Sequence, residues 1–80
     1  MTVKDSVRQR IINLCETREI SINKLGIICG VTQSTFNNIV NEGSKNPKLG
    51  TINAICHGLE ITLREFFDDD IFDDVEQEAE

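Results

Sequence analysis

The chain has 80 residues, a formal net charge of −6 and three cysteines. Eighty residues make one small domain, near the lower limit at which a single core is stable without staples, which leaves room for one function. The opening MTVKDSVRQR lacks an apolar targeting core and the longest nearly unbroken apolar run, GIICGV, is far too short to span a bilayer, so a soluble cytoplasmic protein with no membrane partner is expected.

The charge is divided unevenly. Residues 1–59 carry seven Lys or Arg against four acids, whereas residues 60–80 carry Arg64 alone against ten acids. A mildly basic body is thus joined to a strongly acidic end, and the negative total does not exclude an anionic partner. Cys15, Cys29 and Cys56 each sit among apolar neighbours. An odd number of such residues in a short chain predicts reduced core thiols, not a disulfide scaffold.

In chain order, Val7, Ile11, Leu14 and Cys15 form an i, i+4, i+7, i+8 stripe, which predicts a first helix from about Lys4 to Arg18. From residue 20 onward one device recurs at three helix starts. Ile20-Ser21 precedes Leu25, Val31-Thr32 precedes Phe36, and Ile61-Thr62 precedes Phe66. In each, a Ser or Thr N-cap follows an apolar residue able to staple onto the first turns, and Thr62 with Glu65 adds a capping box. These signals predict helices at about 22–29, 33–41 and 63–68. After the SKNP loop, where Pro47 cannot lie inside a helix, Leu49, Ile52, Ile55, Cys56 and Leu59 predict another from about 49 to 59. No stretch alternates with period two, so the fold class is all-α.

The end, DDDIFDDVEQEAE, divides the chain into a domain at 1–68 and an acidic C-terminal tail at 69–80. Five Asp in seven residues repel one another, which favours a solvated tail. The competing possibility is an extra ordered helix, with Ile71, Phe72 and Val75 used in packing or dimerisation.

The segment GVTQSTFNNIVNEG carries the chemistry. At about 100° per residue, Gln33, Ser34, Asn37, Asn38 and Asn41 fall within an arc of about 140°, opposite Phe36, Ile39 and Val40. Asn, Ser and Thr are poorer helix formers than the Lys and Glu that usually solubilise a helix. They can, however, both donate and accept hydrogen bonds, as base edges demand: Asn or Gln can pair bidentately with adenine, and Ser or Thr can meet several bases. Before this helix, Gly26 would allow two helices to approach closely and Gly30 can take the positive φ that ends a helix. The short turn Gly30–Thr32 then directs the second helix outward, giving a helix-turn-helix.

From about Arg8 to Phe67 the sequence resembles the phage-repressor and Cro-like, or xenobiotic-response-element, helix-turn-helix family. The resemblance is carried by GVTQSTFNNIVNEG, the following KNP and the closing LEITLREFF. It implies a compact five-helix, lambda-repressor-like domain whose third helix enters the major groove of double-stranded DNA. By position, Gln33, Ser34, Asn37 and Asn38 would face bases, Thr35, Phe36 and Ile39 would hold the helix to the body, and Asn41, Lys45 and Asn46 would lie near phosphates. The pattern departs where family members often have a backbone-contacting Gln and this chain has Ile22. Ser21, Asn23 and the free amides of that helix start could hold a phosphate instead, and Lys24 and Lys48 join Lys45 as phosphate ligands.

The expected function is a sequence-specific transcriptional regulator, repressor-like, acting as a homodimer because one small module buries only roughly 600–1,000 Å² on DNA. Phe67, Ile71, Phe72 and Val75 are the expected self-contact surface. The alternative is an interaction module, antitoxin-like or anti-repressor, whose acidic tail binds a basic partner. No cofactor, metal site or small-molecule ligand is implied. Cys15, Cys29, Cys56 and His57 lack the paired short spacings of a zinc site, and the sole His has no recognisable nucleophile partner, so no enzymatic activity is expected.

Overall fold

The computed structural model describes residues 1–41 and 46–77. Five helices follow one another: α1 (Val3–Arg18), α2 (Ile22–Cys29), α3 (Gln33–Val40), α4 (Leu49–Leu59) and α5 (Leu63–Phe67), with a 3₁₀ turn at Asp70–Phe72. Among the described residues the only β-type pairing is a single parallel bridge between Thr2 and Glu76, so the domain is all-α.

Local signals account for the boundaries. The α1 start lies one residue before the expected Lys4 because Thr2 and Asp5 form a reciprocal capping box, a T-x-x-D signal that is present in the sequence but lies ahead of the apolar stripe. Ser21, Thr32 and Thr62 each accept the N–H three residues on, from Lys24, Thr35 and Glu65. The α3 helix closes at Val40 instead of 41, because Asn41 turns extended (φ −94°, ψ 154°).

Three connectors share one geometry. Glu19, Gly30 and Glu60 adopt positive φ of 56°, 68° and 58°. In each case the next residue, Ile20, Val31 or Ile61, donates its N–H back to a carbonyl five residues earlier, on Cys15, Gly26 or Cys56. These are Schellman ends. That same apolar residue packs on the core and immediately precedes the next helix's Ser or Thr cap. One three-residue unit therefore stops a helix, anchors the corner and starts the following helix.

The core gathers Val7, Ile11, Leu14 and Cys15 of α1, Leu25 of α2, Phe36 and Ile39 of α3, Ile52, Ile55, Cys56 and Leu59 of α4, and Phe66 of α5. Close helix approach occurs at Gly58, not at Gly26. A methyl group on Gly58 would collide with the Cys29 Sγ and lie 3.1 Å from the Cys29 Cα, whereas one on Gly26 would meet the Phe36 ring at an ordinary 3.6 Å. All three cysteines are free thiols, two buried and Cys29 half-buried. Burial pushes each of them up from the ordinary thiol value, and Cys29 is raised further by the other two, so they remain protonated and act as small apolar groups.

The acidic segment folds back on α1. The buried Ser6 hydroxyl donates to the Ile71 carbonyl at 3.1 Å, and Glu76 N–H donates to the Met1 carbonyl at 3.0 Å. Arg10 donates to the Phe66 and Glu65 carbonyls at 2.7 and 2.9 Å and to the Asp69 carboxylate at 3.1 Å. Phe72 packs against the core, and its ring centroid lies 4.9 Å from that of Phe67. Ile71, Phe72 and Val75 are therefore half-buried inside the chain. Of the expected self-contact residues, Phe67 alone is exposed, whereas the other three lie partly beneath the fold-back.

Candidate nucleic-acid interface

Phe36, Ile39 and the half-buried Val40 seat α3. Phe36 is fully buried and Ile39 nearly so, and the stretch of helix between them is short enough to leave every polar side chain of α3 outside. Gln33, Ser34, Asn37 and Asn38 are all exposed, with Asn41 exposed just beyond the helix end. Thr35 does not help to hold the helix to the body. It is exposed, and its hydroxyl accepts from that of the cap Thr32 at 2.8 Å, which stiffens the helix start.

The exposed amides are not independent. The Gln33 side-chain Nε2 donates to Asn37 Oδ1 one turn along the same helix at 2.9 Å, and to Asn23 Oδ1 of α2 at 3.3 Å. The i, i+4 pairing of Gln33 with Asn37 is legible in the sequence. The reach to Asn23, ten residues away, depends on the angle between the two helices and carries no sequence signal.

At the start of α2, Ser21, Asn23 and Lys24 are exposed. The Ser21 oxygen accepts from Lys24 N–H at 3.0 Å, so its own O–H remains available to an outside acceptor. Ile22, which replaces the expected glutamine, is half-buried and packs on the core. Its apolar side chain has exchanged an outward contact for an inward one. Ile27 stands 73% exposed on the same helix, and no packing partner among the described residues explains it.

On the other side of α3, Asn38, Asn46 and Lys48 line a cleft of about 260 Å³ together with Thr35, Ile39, Pro47 and Thr51. Lys48 is the N-cap of α4 and, having no acceptor atom, makes no side-chain capping bond. Lys45, the remaining expected phosphate ligand, lies outside the described residues. The structure thus brings together Asn23 with Gln33 and Asn37, and Asn38 with Asn46 and Lys48, on either flank of one short amide-rich helix.

Comparison with known proteins bears directly on this arrangement. The model of the Cro/C1-type HTH DNA-binding domain matches residues 10–70. The crystal structure of prophage Lp1 protein 11 superposes with a TM-score of 0.82 at 29% identity, covering 94% of this chain and 99% of that one. Among curated proteins no match is found. With a helix-turn-helix at α2–α3, five helices around one core and a family model covering three quarters of its length, the chain belongs to the Cro/C1-type helix-turn-helix DNA-binding family.

Proposed function

We propose that the protein is a sequence-specific transcriptional regulator, repressor-like, that inserts α3 into the major groove of double-stranded DNA. Gln33, Ser34, Asn37 and Asn38 contact base edges. Ser21, Asn23, Lys24, Asn41, Lys45, Asn46 and Lys48 bind phosphates on either side. The observation that carries this reading is a helix fixed by Phe36 and Ile39 whose whole outer face is amide and hydroxyl, in a chain of a DNA-binding family. Phosphate contacts fix register, and base contacts supply sequence information.

A single module of this size has a small footprint on DNA, so the protein acts as a homodimer on two half-sites spaced by a turn of the helix or a multiple of it. Its place of action is the cytoplasm, where its DNA lies, and no catalytic step is assigned to it. The family match favours DNA over a basic protein as the partner. Selection of bound sites from a random duplex pool at two salt concentrations tests the proposal. Enrichment of a defined, two-fold related sequence at both salts is expected. Retention that vanishes with salt and enriches no sequence would contradict it.

A further inference from the structure

Beyond the amide face of α3, α5 leaves an apolar face uncovered. Leu63 and Phe67 lie one turn apart on that helix, on one side of it, and are 40% and 37% exposed. The Phe67 ring continues into Phe72, 4.9 Å away between centroids. Asp68 directly follows Phe67 and Asp73 directly follows Phe72, so each ring of the pair is bordered by an acid. These acids are held on a folded turn: Asp69 accepts the Ile71 N–H at 2.9 Å, and Ser6 and Arg10 grip the segment from α1. Asp69 is paired with Arg10 and Glu76 with the Met1 ammonium. Asp68, Asp70, Asp73 and Asp74 are exposed and form no ion pair among the described residues. Gathering four like charges on an ordered turn opposes folding, and nothing inside the described chain neutralises them.

We infer that this end of the molecule, Leu63 and Phe67 bordered by Asp68, Asp70, Asp73 and Asp74, is a second docking surface whose occupant is a protein segment carrying Lys or Arg on either side of apolar residues. Charge complementarity decides among the occupants. DNA is repelled by the aspartates. A second copy meeting this surface two-fold would set the same aspartates face to face, and like charges across an interface are costly. A cationic segment neutralises them while its apolar residues cover Leu63 and Phe67. The surface shares no residue with the base-reading and phosphate-binding sets, so a partner held here leaves the amide face of α3 to DNA, and the inference stands apart from the DNA-reading function.

Three synthetic peptides test it: an amphipathic helix of leucine and lysine, its analogue with glutamine in place of leucine, and its analogue with glutamate in place of lysine. By fluorescence anisotropy the full chain should bind the first, and each analogue about tenfold more weakly or worse, since one lacks the apolar contact and the other the charge. Leu63→Gln, and separately Asp70→Asn with Asp73→Asn and Asp74→Asn, should each weaken binding of the leucine–lysine peptide about fivefold or more while keeping the parent's helical circular dichroism. Lys24→Gln, on the proposed DNA side, should leave peptide binding unchanged. No binding of the leucine–lysine peptide, equal binding of the glutamine analogue, or an affinity indifferent to both the Leu63 and the aspartate substitutions would overturn the inference. So would sedimentation of the free chain as a dimer that Leu63→Gln converts to a monomer, because a second copy would then cover this face.

Discussion

Glu19 and Glu60 hold a backbone conformation that side-chain-bearing residues seldom adopt, at φ 56° and 58°. The left-handed region costs an L-residue about 1–2 kcal/mol, against a smaller entropic loss when glycine takes its place. Glu60→Gly should therefore raise stability by roughly 0.5–1 kcal/mol in urea unfolding, and a loss of stability would show that the glutamate contributes something its backbone does not reveal. Gly58 and Gly26 make an opposed pair. Gly58→Ala drives a methyl into Cys29, at an overpacking cost of about 1–3 kcal/mol that exceeds the helix-propensity gain of roughly 1 kcal/mol. Gly26→Ala meets only ordinary contact with Phe36 and should be neutral or stabilising. Thermal melting of the two variants separates them, and a larger loss at Gly26 than at Gly58 would reverse the account of where the helices touch.

At the scale of the element, Arg10 ties the C-terminal end to α1 through two backbone carbonyls and Asp69. Arg10→Met keeps much of the aliphatic stem but leaves those acceptors without their donor, which should cost about 2 kcal/mol and lower the melting temperature by roughly 10 °C. An unchanged melting curve would mean the segment after α5 contributes nothing to the domain. The helices themselves were legible because each shows an apolar stripe and all but α4, whose N-cap is Lys48, also show a Ser or Thr cap. The start of α1 was missed by one residue because its Thr2–Asp5 box precedes the stripe. The left-handed turns at Glu19 and Glu60 were not legible, since glutamate gives no local signal for positive φ, whereas Gly30 did. The fold-back of residues 69–76 was hidden by their charge. Composition reports repulsion between aspartates but not the Ser6 hydroxyl, the Arg10 guanidinium or the Phe66–Phe67–Phe72 cluster that receives the segment. In the site, the outward arc of α3 followed from periodicity alone, while the Asn23 bridge required knowledge of how α2 and α3 cross.

For the whole molecule, the balance to be explained is a net charge of −6 on a DNA-binding protein. Because residues 69–76 are hydrogen-bonded to the body, cutting them away would remove packing along with charge. Neutralising the exposed pair, Asp73→Asn with Asp74→Asn, isolates the electrostatic effect. Non-specific affinity should rise severalfold at about 0.01 M salt, where the screening length is roughly 30 Å, and converge with the parent near 0.15 M. Equal affinities at low salt would show that the acidic end has no influence on DNA approach. The central claim, that the outer face of α3 reads bases, is tested most directly by measuring the affinity of the parent and of Asn37→Ala for the selected duplex and for a scrambled duplex at the same salt. The predicted result is a loss of about 1–3 kcal/mol on the selected duplex alone, with scrambled binding and melting temperature unchanged. A parallel loss on both duplexes, or no loss on either, would contradict it.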